Sequence, residues 1–201
     1  MNLPTGKILA DQLSPKAYAE LIHYAAKNNI DIGQWQHLKP QMVSLIISLH
    51  ELKALGLTTQ GVDSHMEEKA KQDGKLTTHL ESIEQQIHYI STMGEGNESS
   101  LILQTLDDVN NLPEELDKLS SAWRFGDDTQ LFETGIKPMM EDYPQVYQSL
   151  LVERNNNWLP RIEKLIDDSE SKLILVGALH LVGEDGLLEK LRSRGYKVER
   201  Y

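Results

Sequence analysis

Two polar residues, each directly after a predicted strand, are the first candidates for chemistry in this chain. His180 follows the apolar segment 172–177, and Glu81 follows the segment 75–80. If the two strands are parallel neighbours, both side chains emerge at the same end of a sheet, where α/β proteins bind their ligands. A carboxylate and an imidazole together could bind a metal ion or exchange protons with a substrate. The alternatives are a solvated Glu81 at a helix start and a turn histidine bonded to the backbone.

A third candidate lies in a polar run that predicts a helix break. Arg154 is followed by three asparagines, 155–157, and its guanidinium could hold a carboxylate or an anionic substrate group through two hydrogen bonds. The alternative is that Arg154 pairs with Glu153 or a surface acid while the asparagines form a turn. Asn155 and Gly177, the glycine that ends the second strand, are candidates for the lining of the site.

Asp63 and His65 could also line the site from a neighbouring loop. The alternative is that Asp63 is the N-cap of a polar helix over 62–72. The spacing is not HExxH, so a zincin-type helix is not indicated. The chain has no phosphate loop, no GxGxxG and no GxSxG, so nothing supports nucleotide binding or a serine hydrolase.

The elements that must position these residues are mostly helices. Hydrophobic periodicity predicts about eight or nine helices and three short strands, at 75–80, 172–177 and 196–200. Because helices separate the strands, parallel pairing is favoured. The predicted fold is therefore α/β, predominantly helical with a small, mainly parallel sheet, in a single domain over 1–201. So thin a sheet leaves its edges bare, which is one route to self-association.

Local signals place several helix ends. Ser14 followed by Pro15 predicts a helix start, and Ser82 with Gln85 forms a capping box. Gly195 is expected to end the last helix. The segment 40–55 is apolar almost all round and predicts a buried helix.

Composition excludes several classes of protein. The 201 residues carry a formal net charge of −11, which argues against binding to nucleic acid or to an anionic membrane. There is no cysteine, so any metal would need His, Asp or Glu ligands. No apolar run approaches the ~20 residues of a membrane span, and the first residues do not read as a signal peptide.

Several segments, taken together, resemble the TraB/GumN family, which includes the TIKI-type metalloproteases. They occur in the family's order and cover the chain from about Leu3 to Tyr201. The matching stretches are 61–66, 74–86, 123–127, 152–158, 176–188 and 195–198.

The resemblance implies a metal-dependent, peptidase-like hydrolase with peptide or small-protein substrates. The family's second GxxH motif falls on Gly177 and His180, its Leu-Glu motif on Glu81, and its Glu-Arg-Asn motif on Arg154. His180 and Glu81 would be metal ligands or acid–base residues, and Arg154 would position substrate or stabilise negative charge. Manganese or cobalt is the implied metal, with zinc as an alternative.

One departure from the family is large. Its first strand, its first GxxH and a following acidic strand have no counterpart, so we expect an N-terminally truncated domain with weakened metal binding. A cell-envelope, periplasmic or secreted location is what the resemblance implies. Two other functions stay open: a module that binds or sequesters peptide signals without cleaving them, and a structural or assembly protein.

Overall fold

The computed structural model describes residues 1–58 and 60–200, and this part of the chain is built from helices. The α-helices are α1 Pro15–Lys27, α2 Pro40–Ala54, α3 Val62–Gln72, α4 Ile83–Thr92, α5 Glu98–Phe125, α6 Asp128–Leu131, α7 Lys137–Asp142, α8 Pro144–Tyr147, α9 Glu153–Ile166 and α10 Leu187–Ser193. Short 3-10 turns lie at Leu9–Gln12, Ile32–Trp35 and Ala178–His180. Two π-helical turns, Phe132–Ile136 and Gln148–Val152, join α6 to α7 and α8 to α9.

The described chain forms two compact units, each with apolar clusters of its own. The first unit comprises Met1–Leu57 and Ile87–Asp117, and its core gathers around Leu21, Ile47 and Ile102. The second comprises the described residues of Thr58–Gln86 and Lys118–Tyr201. Its two clusters centre on Ile136 with Leu151, and on Trp158 with Leu187. All of the candidate site residues belong to the second unit.

The predicted parallel sheet is wrong for the described residues, which contain no β-strand. The segment 172–177 is extended and alternates as a strand would. Ile174 and Val176 pack on the Trp158 cluster, whereas Leu173 and Leu175 are 69% and 41% exposed. However, within the described residues no backbone hydrogen bond joins its first five residues, 172–176, to another segment. Self-association through a bare sheet edge was predicted from this sheet, so that argument for it no longer holds.

The segments 75–80 and 196–200 also contain neither helix nor β-strand. In the first of them Leu76 is fully exposed, and only Leu80, at its end, packs on the Trp158 cluster. The last two carbonyls of this segment, those of His79 and Leu80, accept hydrogen bonds from the Arg161 side chain at 3.4 and 3.0 Å. The Arg161 side chain thus bonds to carbonyls that were expected to pair with a neighbouring strand.

The polar run after Glu153 continues as helix, contrary to the predicted break. α9 runs through Asn155, and its inward face buries Trp158, Leu159 and Ile162. Asparagine is a weak helix former, but the burial of this apolar face outweighs that preference. No described helix is both long enough and apolar enough to cross a lipid bilayer.

Candidate functional site

The first turns of α9 carry three of the side chains that meet at the candidate site. Arg154 and Trp158 are four residues apart and Asn155 and Trp158 three, so all three lie near one another on the helix surface. The π-helical turn Gln148–Val152 directly precedes them. Such turns change which side chains face inward and are frequent at functional sites.

Glu81 and Arg154 form a bidentate ion pair across 73 residues of sequence. The Arg154 Nε donates to Glu81 Oε2 at 3.1 Å, and its Nη2 donates to Oε1 at 2.8 Å. Trp158 Nε1 donates to the same Oε2 at 3.1 Å. Both side chains are largely shielded from solvent, with 19% of Arg154 and 13% of Glu81 exposed. Arg154 therefore pairs with Glu81, a carboxylate far away in the sequence.

Asn155 determines which nitrogen of His180 carries the proton. The Asn155 Nδ2 donates to two backbone carbonyls, of Asp185 at 2.8 Å and of His180 at 3.1 Å. Its Oδ1 must then face His180 Nδ1, which lies 2.7 Å away. An amide oxygen only accepts, so Nδ1 holds the hydrogen, and Nε2 of the neutral ring is left as an acceptor.

The His180 ring is held neutral by its surroundings. The residue is 8% exposed, and burial lowers its pKa from 6.5 to about 4, with a further contribution from the positive charge of Arg154. Its ring lies 4.5 Å from the Trp158 ring, centroid to centroid. Arg154 Cζ lies 4.8 Å from that same indole centroid. Trp158 thus contacts both Arg154 and His180, and it also bonds to Glu81.

The loop after His180 is anchored by the side chain of Asp185. This holds the Asp185 carbonyl in place to accept the hydrogen bond from Asn155 Nδ2. Asp185 accepts a hydrogen bond from the Tyr147 hydroxyl at 2.8 Å and another from Lys190 Nζ at 3.0 Å. Burial alone would raise the Asp185 pKa, but these two bonds outweigh it and hold the pKa below its usual value. Gly186, next in the loop, has no room for a side chain, because a Cβ would lie 2.5 Å from the carbonyl oxygens of Leu181 and Val182.

A cleft of about 460 Å³ opens beside this cluster, entirely within the second unit. Gly177, Ala178 and His180 form one part of its wall, and Arg154 and Ser120 supply its other polar groups. The rest of the wall is apolar: Leu119, Trp123, Leu131, Met139, Leu150, Leu151 and Leu179. An apolar cleft with a few convergent polar groups is the usual form of a ligand site.

The structure brings together Glu81, Arg154, Asn155 and His180, and it places Gly177 in the cleft wall beside His180. Asp63 and His65 lie elsewhere, on the exposed helix α3. The N-cap of that helix is Gly61, and Asp63 stands within its first turn.

Sequence reasoning missed Trp158 and Asp185 as parts of this site. The i, i+4 spacing of Trp158 from Arg154 was a usable signal, because it predicts a shared helix face. For Asp185 we find no comparable local signal, since its contact with Asn155 joins residues 30 apart. The same holds for the Tyr147 hydroxyl that anchors it, 38 residues away.

The residues that are present do not fit a metal ion by themselves. No group of three His, Cys, Asp or Glu side chains among the described residues could hold one. Glu81, a predicted ligand, already gives both oxygens to a guanidinium, whose charge disfavours a second cation. Of the two predicted ligands, this leaves the unprotonated Nε2 of His180 with a lone pair available for a metal ion. Protein metal sites use three or four ligands.

Comparison with known proteins gives distant relatives. Metalloprotease TIKI2 of Danio rerio is 24% identical over 217 residues, which cover 94% of this chain and 41% of the relative. TIKI2 of Xenopus tropicalis is 23% identical, with 94% and 40% covered. The uncharacterized protein YbaP of Escherichia coli K12 is 24% identical, with 95% and 70% covered.

The chain therefore spans about two fifths of the length of the TIKI2 proteins it resembles. No solved structure matches it. The sequence model of the TraB/PrgY/gumN family matches residues 1–200, nearly the whole chain, in agreement with the resemblance seen in the motifs. The chain belongs to the TraB/PrgY/gumN family.

Proposed function

We propose that this chain carries the substrate-binding and proton-accepting part of a peptide-hydrolase site. The observation that carries the proposal is the His180 ring, whose unprotonated Nε2 is set by Asn155 in the wall of an apolar cleft. The relationship to TIKI2, a metalloprotease, supports a hydrolase.

In the proposed reaction, water attacks the carbonyl carbon of a peptide bond. Nε2 of His180 accepts a proton from the water, and the imidazolium returns it to the leaving amine nitrogen as the C–N bond breaks. Because its pKa is about 4, the ring is in the accepting form at neutral pH. Glu81 and Arg154 act as positioning residues here, because their ion pair joins the start of α9 to the end of segment 75–80.

A second candidate is a site that holds a peptide without cleaving it. The same low pKa favours this function, since a proton acceptor works best when its pKa lies near the working pH. The engagement of Glu81 by Arg154 also leaves the cluster without a free carboxylate to act as a stronger base. In this function His180 Nε2 would accept a hydrogen bond from a peptide N–H.

The test is incubation of the chain with a mixture of unstructured peptides, followed by mass spectrometry. The comparison includes His180→Ala and a control, His23→Ala, which removes an exposed histidine of α1. The proposal predicts cleavage that His23→Ala retains and that His180→Ala lowers by about a hundredfold or more. Peptides that stay bound and intact would favour sequestration. Equal cleavage by both variants would contradict the role of His180.

A further inference from the structure

The lining of the cleft beside His180 indicates what kind of group it accepts. Its one cation, Arg154, is neutralised by the bidentate bond to Glu81. An ionised side chain would lie against a mostly apolar wall there and meet no net opposite charge, which is unfavourable. Leu131, Met139 and Leu151 instead offer hydrocarbon surface, to which an apolar group binds favourably.

The size of the cleft also limits its occupant. Its volume of about 460 Å³ is at the lower end of the about 300–1,000 Å³ found for ligand pockets. That is room for a large side chain with some of its adjoining backbone, and not for a folded partner. His180 lies in the same wall, so the backbone next to that side chain would pass beside the His180 residue.

Gly135 lies beside two of the leucines that line the cleft. It belongs to the π-helical turn Phe132–Ile136, and a Cβ at this position would lie 2.6 and 2.9 Å from the two methyl carbons of Leu179 and 3.3 Å from Leu119. Both leucines line the cleft. The displaced atoms are the ends of flexible side chains, so an alanine at 135 can be accommodated by moving them into the cleft.

We propose that the cleft is the subsite for one large apolar side chain of the peptide, and that Gly135 is a specificity-determining residue that sets its depth. The inference rests on the proposed function in one respect only, namely that the ligand is a peptide. A glycine at 135 lets Leu179 and Leu119 withdraw, which leaves room for side chains as large as Leu or Phe. A residue larger than glycine at 135 would restrict the subsite to smaller side chains of the bound peptide.

The experiment uses capped peptides that differ only at one central residue: Ala, Val, Leu or Phe. Binding is measured by calorimetry on His180→Ala, so that no cleavage is needed, and cleavage is measured separately on the protein with His180 intact. Both measurements are repeated with Gly135→Ala, with Leu179→Ala and with a control, Gly61→Ala, whose Cβ meets nothing within 4 Å.

We expect Leu and Phe peptides to bind at least about tenfold more tightly than the Ala peptide. Gly135→Ala should reduce this ratio by about tenfold and leave the Ala peptide unchanged. Leu179→Ala, which enlarges the cleft, should move the preference towards Phe. Gly61→Ala should change nothing.

The outcomes separate the subsite from the reaction. Selective binding without any cleavage would uphold the subsite and overturn the hydrolase proposal. Cleavage with no dependence on side-chain size would uphold the hydrolase proposal and overturn the subsite. If Gly135→Ala and Leu179→Ala both leave the size preference unchanged, the role of Gly135 is overturned.

Discussion

At the scale of single residues, the ion pair between Glu81 and Arg154 is a contact whose loss by mutation should lower stability. Its two hydrogen bonds and the third from Trp158 satisfy a carboxylate that is 13% exposed. If one partner of such a pair is removed, the other charge stays behind with little solvent to stabilise it. The loss of Glu81 should therefore cost more than the loss of an ordinary surface carboxylate.

We predict that Glu81→Gln lowers the free energy of unfolding by about 2 kcal/mol, less than for a fully buried pair because some solvent remains. The matched control is Glu133→Gln, which breaks the exposed pair with Lys137 at 2.7 Å and should cost less than about 1 kcal/mol. Urea unfolding of both variants measures the difference. Equal losses would show that the Glu81–Arg154 pair has no special structural role.

His180 should make the stability of the protein depend on pH. Its pKa is about 4 in the folded chain and near 6.5 when exposed, so between these values the unfolded chain binds the additional proton. The free energy of unfolding should consequently fall as the pH falls from 6.5 towards 4, by at most about 1.4 kcal/mol per pH unit.

The control for this prediction is His180→Gln, measured by urea unfolding at about pH 7 and about pH 5. A control is needed because Asp108 acts in the opposite sense. Burial, followed by the charge of Glu115, raises the pKa of Asp108 to about 6, so its contribution to stability decreases as the pH rises. The difference between the native chain and the variant isolates His180. Parallel pH profiles would show that the imidazole is not held neutral.

At the scale of elements, several helix ends were predicted correctly from local signals, whereas strand pairing was not. The Ser14 Oγ accepts from Ala17 N, and Ser82 and Gln85 exchange the two bonds of a capping box, as their sequence indicates. α10 ends where Gly195 takes a positive φ. These signals are reliable because both partners lie within a few residues of each other.

Strand pairing and the partner of Arg154 depend on residues far away in sequence. The alternation of 172–177 correctly indicated an extended segment with one inward face, but alternation does not specify a partner strand. The carboxylate that binds Arg154 lies 73 residues away, and no local pattern points to it. Pro113 lies inside α5, although a proline in a helix interior removes a backbone hydrogen bond and commonly ends or kinks a helix. Residue chemistry was enough to propose Glu81, Arg154 and His180 as a site, whereas their hydrogen bonds required the fold.

Gly186 tests whether the loop after His180 is held as tightly as the contacts indicate. Gly186→Ala would place a Cβ 2.5 Å from two backbone carbonyl oxygens, which cannot move as a side chain can. We predict a loss of about 2 kcal/mol in the free energy of unfolding, together with loss of the Asn155 contact. Gly61→Ala is the control, because Gly61 is also the N-cap of a helix but has open space around it. A similar result for the two variants would contradict the tight loop.

At the scale of the whole molecule, the relatives and the side chains give different indications about metal. The TIKI2 proteins are named as metalloproteases, yet the described residues of this chain contain no group of three His, Cys, Asp or Glu side chains that could hold a metal ion. The chain covers 41% of the zebrafish relative. What can be measured directly is the affinity of this chain for metal.

We predict that calorimetric titration with Mn²⁺, Co²⁺ or Zn²⁺ shows no one-to-one site that depends on His180, since stable sites use three or four protein ligands. The native chain and His180→Ala should give the same weak heats. Stoichiometric binding that disappears in His180→Ala would mean that further ligands approach Nε2, and the donor set described above would be incomplete.

The most direct test of the account is the protonation state of the His180 ring, read by long-range ¹H–¹⁵N NMR of histidine-labelled protein. His180→Gln assigns the signal, and Asn155→Asp, which places a carboxylate against Nδ1, should raise the pKa of the ring. In the native chain we predict a neutral ring with the hydrogen on Nδ1, unchanged from about pH 7 to about pH 5. An imidazolium in that range, or a neutral ring with the hydrogen on Nε2, would contradict the claim that His180 presents an unprotonated nitrogen to the cleft.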